Sequence, residues 1–518
     1  MLAKLHAAVL HGIDALPCEV EVDLAERAEA LPKPTIVGLP DTAVKESADR
    51  IRAALFNSGY GFPEGRLTIN LAPADVKKEG NALELPIALG ILAVNRSLKP
   101  AGLDRARRFL VAGELALDGR IRPVKGALPM AMLAKEMADR GIVGVILPED
   151  NAAAAAVVPG IEVHAAGALA EVVGFLNGEL AWEPLALDEA SIDPLTASDG
   201  KDFAEVRGQE LAKRALTIAA AARHNILLLG PPGAGKTMLC ERLPSILPPL
   251  SRHEALETSR IYSACGLLPK AQALLRTRPV RSPHHTASAP SVIGGGSIPR
   301  PGEVSLAHNG ILFLDELPEF PRNVLEVLRQ PLESGQVTIA RSHSSITFPA
   351  RFMLVAAMNP SHKGNGSVDP RTATATELAA VDRYISRISG PLFDRIDIHL
   401  EVPAVTYRDL TSDRRGTDSA TMRRQVMGAI AIQRKRFIAA PTMSNATMSK
   451  PEIEKHCVLD SAGQMLMKQA MEELGLSARA FDKVRKVGRT IADLEASETI
   501  TAAHISEAIQ YRLLDRRL

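Results

Sequence analysis

The segment HNILLLGPPGAGKTMLC, residues 224–240, reads as a buried strand, a glycine-rich turn and the start of a helix. The turn comprises Gly230, Pro231, Pro232, Gly233, Ala234, Gly235, Lys236 and Thr237, a GxxxxGKT spacing in its required strand–loop–helix setting. Glycines let the backbone close around phosphate oxygens, and the next helix presents its positive N-terminal end to them. In that arrangement Lys236 reaches the β- and γ-phosphates of a nucleotide and Thr237 places its hydroxyl on Mg²⁺. The expectation is an α/β nucleotide-binding core that uses ATP with Mg²⁺.

Working outward, NGILFLDELPEF (309–320) carries four apolar residues, Ile311–Leu314, then Asp315 and Glu316. A continuous apolar run suits a parallel strand covered on both faces. Its carboxyl end is where ligands of such sheets sit. Asp315 is expected to hold the metal and Glu316 to polarise the attacking water. A third strand, RFMLVAAMNP (351–360), ends in Asn359, which either holds the lytic water or serves as a turn residue before Pro360. Arg395, between Asp394 and Asp397, and Arg479, at the start of a C-terminal helix, are each either surface ion-pair formers or cations that neutralise phosphoryl charge.

The 518 residues allow roughly two to four domains. Lys+Arg 61 against Asp+Glu 60 excludes a strongly basic chain, and 3% aromatic residues argue against an extended base-stacking platform. Cys18, Cys240, Cys265 and Cys457 form no CxxC and suit thiols in a reducing compartment. The N-terminal apolar stretch is broken by His6, His11 and Asp14 and reads as a first strand instead of a signal peptide. No run approaches the ~18–20 apolar residues of a membrane helix, so a soluble cytoplasmic protein is expected.

Residues 1–175 mix strands and helices. Within them, Asp41 caps a helix carrying Val44, Ala48, Ile51 and Leu55 on one stripe, and Gly59 ends it. Residues 176–202 turn rich in proline, acidic and small residues and read as a linker. A nucleotide-binding segment spans 203–405 and a helical region 406–518.

RSPHHTASAPSVIGGGSIPRPGEVSLAHNGILFLDELPEF (281–320) closely resembles the magnesium-chelatase-like AAA+ ATPases of the bacterial YifB/ComM family. VGLPDTAVKESADRIRAALFNSGYGFP, INLAPADVKKEGNALELPIALGIL, GELALDGRIRPVKGALP and SARAFDKVRKVGRTIADLE look like the same family. The resemblance covers almost the whole chain. It implies an N-terminal Lon-protease-like α+β domain of the ChlI type (1–175), an AAA+ P-loop core (203–405), a helical C-terminal lid (406–518) and a homo-hexameric ring. It further implies a motor on single-stranded or branched DNA, with branch migration during natural transformation and recombination or transformation proteins as partners.

By position, Lys236 and Thr237 match the family's Walker A residues and Asp315 and Glu316 its Walker B pair. Asn359 matches sensor 1, Arg395 the arginine finger and Arg479 sensor 2. The resemblance puts PHHTAS (283–288) in an inserted loop facing the ring channel, with His284 and His285 as substrate contacts. SGQVTIARSHSSITFPARF (334–352) reads as a hairpin whose Arg341 and His343, near its tip, either touch a phosphate backbone or simply face solvent. Adjacent histidines without further ligands do not make a zinc site. Where many relatives carry a cysteine-rich insert after sensor 1, this chain has NPSHKGNGSVDP (359–370), with no cysteine and with Lys363 in a glycine-rich loop.

Three rival readings follow. A Lon-like protease needs a serine–lysine dyad, but by resemblance Ala82 falls near the serine position and Pro129 near the lysine; Ser58 and Lys125 remain nearby as either a chemically plausible pair or structural residues. A chelatase-type ATPase that remodels a protein partner would share the hydrolysis site. Its pore loops would be apolar or aromatic, whereas PHHTAS and ARSHSS contain no Phe, Tyr or Trp. The acidic pair at 315–316 argues against a non-catalytic DNA scaffold.

Overall fold

A computed structural model describes residues 1–25, 34–187, 200–270, 272–296, 299–341, 344–360, 384, 386–405, 407, 416–440 and 442–512. The chain forms two compact units, one of Met1–Pro194 with Ser251–Arg276, the other of Leu195–Leu250 with Thr277–Leu518.

The first unit is built on strands β1 (Leu2–His11), β2 (Asp14–Ala25), β3 (Thr35–Val37), β4 (Arg66–Ala72), β5 (Phe109–Val111), β8 (Gly144–Pro148) and β9 (Glu162–Ala166), with a small hairpin of β6 (Glu114–Leu115) and β7 (Ile121–Arg122). Its seven-stranded sheet runs β3-β4-β2-β1-β5-β8-β9 and is mixed. The β1–β2 and β2–β4 pairs are antiparallel, and the remaining pairs are parallel.

Alternation sets the buried face: Ala3, Leu5 and Ala7 on β1 share it with Cys18, Val20 and Val22 on β2. The helix Glu84–Val94 packs there and is buried along its whole length. The helix Thr42–Asn57 starts where Asp41 accepts from Val44 N at 2.8 Å, and it ends ahead of Gly59, whose φ of +84° favours glycine.

Residues 251–276, which the sequence reading assigns to the 203–405 segment, fold with this first unit. Their helix, Arg252–Cys265, opens with a capping box in which Ser251 and Glu254 bond reciprocally. It packs on the helix Ala127–Glu136, where Ser263 accepts from Gly126 N (2.9 Å) and through its hydroxyl from Leu128 N (3.2 Å).

In the second unit the strands are β10 (Ile226–Leu229), β11 (Val280–Arg281), β12 (Gly294–Gly295), β13 (Arg300–Pro301), β14 (Ile311–Leu314), β15 (Gln336–Arg341), β16 (Ser344–Pro349), β17 (Met353–Met358) and β18 (Ile398–Glu401). Five form a sheet in the order β11-β14-β17-β10-β18, and every pair in it is parallel. The central strands β14 and β17 are buried at every residue, the mark of a sheet covered on both faces. β12–β13 and β15–β16 are separate antiparallel hairpins.

The C-terminal helices Ser419–Arg436, Ala478–Leu494 and Ala502–Gln510 contribute Val426, Val484, Val487 and Ile505 to the same core as Ile226, Val355 and Ile398. The α/β core expected from the phosphate loop is therefore present, with a helical region packed into it.

Cys18, Cys240 and Cys457 are buried thiols. Among the described residues, no helix is long and apolar enough to cross a membrane, and no cluster of three or more His, Cys, Asp or Glu could hold a metal ion.

Candidate nucleotide site

Register assembles the site. Leu229 lies opposite Met358, and Leu314 lies opposite Ala356. The residues that follow, Gly230, Asn359 and Asp315, therefore leave the sheet at one edge, the carboxyl end of three adjacent parallel strands. Gly233 and Gly235 hold φ of +77° and +87° in the turn between β10 and the next helix, which explains glycine at both positions. Gly230 is glycine for another reason: a Cβ there would run into the backbone carbonyl of Val402.

Lys236 opens the helix Lys236–Arg242 and is buried. Its ammonium donates to Gly230 O (2.7 Å), Pro231 O (3.0 Å) and Asn359 Oδ1 (3.0 Å). Burial pulls its pKa below the ordinary lysine range, opposed first by the Asp315 carboxylate. Thr237 donates its hydroxyl to Asp315 Oδ2 at 3.0 Å. The other Asp315 oxygen accepts from Glu316 N at 2.9 Å. Glu316 itself sits at φ +51°, in the left-handed region, which is uncommon for a residue with a side chain.

A hydroxyl and a carboxylate in contact beside a glycine-rich turn are hard oxygen donors of the kind Mg²⁺ takes while keeping several waters. A desolvated ammonium beside them can meet phosphate oxygens. The residues present fit a magnesium–nucleotide pair.

Gln209 was not anticipated. It has φ +59° and donates through Nε2 to Pro403 O (2.7 Å) and Ala234 O (3.3 Å), tying the phosphate loop to the chain that leaves β18. A Gly208–Gln209 pair directly before an amphipathic helix was the available signal.

Arg395 and Arg479 come together elsewhere. Arg395 donates to Glu333 Oε2 (2.6 Å) and Pro391 O (2.7 Å), and this bond holds the Glu333 carboxyl below its usual range. Arg479 Nη1 lies 3.7 Å from Asp394 Oδ2, beside Arg395 in sequence. Neither guanidinium contacts Lys236, Thr237, Asp315 or Glu316 among the described residues.

His284 is exposed, and its Nδ1 lies 2.9 Å from Thr286 Oγ1. His285 is turned to the acidic pair, with Nδ1 3.4 Å from Glu316 Oε2. Arg341 is exposed near the tip of the β15–β16 hairpin and donates to Gly296 O at 3.3 Å, beside the β12–β13 hairpin. His343 and Lys363 lie outside the described residues. In the first unit, the amide of Ser58 closes the helix Thr42–Asn57 by donating to Ala54 O.

Residues 202–410 match the family described as magnesium chelatase, subunit ChlI. Residues 20–151 match subunit ChlI of Mg-chelatase, and residues 416–512 match its C-terminal region. YifB of Salmonella typhimurium is 45% identical over 519 residues, covering 100% of this chain and 98% of that protein. The competence protein ComM of Haemophilus influenzae is 43% identical, again over 100% and 98%. The chain belongs to the YifB/ComM family of magnesium-chelatase-like AAA+ proteins. Within the wider relationship, the magnesium-chelatase 38 kDa subunit of Rhodobacter capsulatus is 29% identical over 226 residues, 40% of this chain and 60% of that subunit. The YifB/ComM likeness therefore runs through both units, whereas the match to that chelatase subunit covers less than half of the chain.

Proposed function

We propose that the protein is an ATP-hydrolysing ring motor that acts on DNA. The observation that carries the ATPase reading is the pair of contacts at one sheet edge, Lys236 with Asn359 and Thr237 with Asp315. When bound, Mg-ATP supplies a transferable γ-phosphoryl group and a metal that offsets its charge. Lys236 binds phosphate oxygens, and Thr237 and Asp315 hold the metal. Glu316 polarises the attacking water and Asn359 orients it, which separates the acid pair into a metal ligand and a base.

Arg395 and Arg479, gathered around Glu333 and Asp394, serve the phosphate site of a neighbouring copy in a hexamer. That role is supported by their lack of contact with this chain's own Lys236 and Glu316. The helical region after residue 406 acts as the lid, and the N-terminal ChlI-type unit supports the ring or binds a partner.

The DNA reading is supported by exposed Arg341 and by the competence designation of the Haemophilus relative. Remodelling of a protein partner is the second reading, favoured by the likeness to the chelatase subunit.

ATP turnover with and without forked DNA or a Holliday junction separates the two. Stimulation together with strand or junction movement is the expected result. Turnover indifferent to every DNA, with no movement, would sink the DNA reading and leave the ATPase. Glu316→Gln is expected to bind ATP and abolish turnover; normal hydrolysis by that variant would remove Glu316 from its assigned role.

A further inference from the structure

The loop PHHTAS begins beside the acidic pair for a reason written in the sheet. β11 and β14 are parallel neighbours, with Arg281 opposite Leu312. Both chains leave the sheet at the same end, and four residues further along each come His285 and Glu316. Glu316, directly after Asp315, holds a left-handed backbone. The two acids end with different partners. Asp315 is pinned by Thr237 and by a backbone amide. Among the described residues, the imidazole of His285, at 3.4 Å, is the only side chain within ion-pair reach of the Glu316 carboxylate.

The imidazole is itself held. Its ring lies 4.1 Å from that of His284 and meets buried Phe320 edge-on at 6.4 Å and 82°. Ala287 N donates to His284 O at 2.9 Å, closing the turn, and the Ser288 side chain caps the short helix that follows. Only a third of the His285 side chain is exposed, against half of Glu316. A half-exposed carboxylate in left-handed backbone has many orientations; a packed ring with a nitrogen 3.4 Å from one oxygen selects among them and leaves the other oxygen available.

We propose that His285 is a positioning residue for Glu316. Its imidazole fixes one carboxylate oxygen so that the other is aimed as the base that polarises water. The loop 283–288 thereby sets the rate of hydrolysis. This inference rests on the ATPase reading above and adds the side chain that orients its base.

The test uses the full chain with ATP and Mg²⁺ and three variants at one position. His285→Phe keeps a ring against His284 and Phe320 but cannot donate. His285→Gln loses the ring but keeps an N–H that reaches a carboxylate. His285→Ala loses both. The expected result is a fall in kcat of roughly tenfold to a hundredfold for the Phe and Ala variants, the scale of a small misplacement of a reacting group. Nucleotide affinity, read with a fluorescent ATP analogue, stays unchanged, and the Gln variant recovers most of the rate.

Full turnover in His285→Phe, or kcat and nucleotide affinity falling together in both Phe and Gln, would overturn the proposal and make His285 a packing residue. A Glu316→Gln protein that still hydrolyses ATP would sink the ATPase assignment of Glu316, and this inference with it. An inactive Glu316→Gln beside a fully active His285→Phe would overturn this inference alone.

Discussion

At the scale of single residues, what matters is which charges are compensated. Asp397 is a buried carboxylate with Lys483 Nζ at 2.7 Å and His224 Nδ1 at 3.5 Å. Burial alone would raise its pKa, but Lys483 and His224 outweigh this and hold the carboxyl far below the ordinary range. A depressed carboxylate stabilises the fold fully above its unfolded pKa, near pH 4, and loses that contribution as pH falls toward the folded value. Lys483→Met leaves a buried charge without its main partner. It should lower the stability of the second unit at neutral pH by about 3–5 kcal/mol, read from urea unfolding. The gap from wild type should narrow as the pH drops below about 4. A constant gap across that range would mean that the loss comes from packing.

The phosphate-loop residues were legible because GxxxxGKT encodes a local conformation. Asp315 and Asn359 were legible because apolar runs end at them. His285 beside Glu316 was not, because that contact depends on two strands being neighbours in the sheet. Gln209 was missed for the same reason: its partners, Ala234 and Pro403, lie far along the chain.

At the scale of elements, local chemistry explains most beginnings and ends. The helix Thr42–Asn57 starts at Asp41 and buries Val44, Ile51 and Leu55, as its spacing predicts, while Ala48 is only partly covered. Asp41→Ala should cost about 1 kcal/mol by removing the acceptor for Val44 N, measurable as a shift of the urea midpoint. Asp41→Ser should restore most of it. Loss of stability equal in both variants would place the effect in the contact from Gly80 N to the second carboxylate oxygen.

The helix Arg252–Cys265 carries local signals that the sequence reading left unused, its Ser251–Glu254 capping box and Gly266 at φ +72° after it. Its membership of the first unit was not readable. Nothing local says that this helix packs on the helix Ala127–Glu136, with Ser263 bonded to Gly126 N and Leu128 N, instead of on the neighbours it has in sequence.

At the scale of the whole molecule, the position of the two arginines carries the prediction. Arg395 is tied to Glu333, and Arg479 approaches Asp394. If they serve a neighbouring copy's phosphate site, Arg395→Ala should bind nucleotide normally and turn over about 10³-fold more slowly. Mixing it with Lys236→Ala should then recover activity, because an intact arginine and an intact phosphate loop meet at some of the mixed contacts. No recovery at any mixing ratio, with assembly intact, would confine Arg395 to its own subunit.

Because Ser251–Arg276 folds with Met1–Pro194, the polypeptide passes between the two units at residues 194–195, 250–251 and 276–277. The N-terminal unit is thus discontinuous in the gene. A fragment stopping at residue 194 would lack the helix that covers Gly126 and Leu128, and would leave an uncovered apolar face prone to self-association. A single-chain version would need residues 251–276 grafted behind the N-terminal segment through a connector. Isolating the second unit would need the reverse operation, with Leu250 joined to Thr277. Domain dissection of this protein is therefore a problem of splicing and not of truncation.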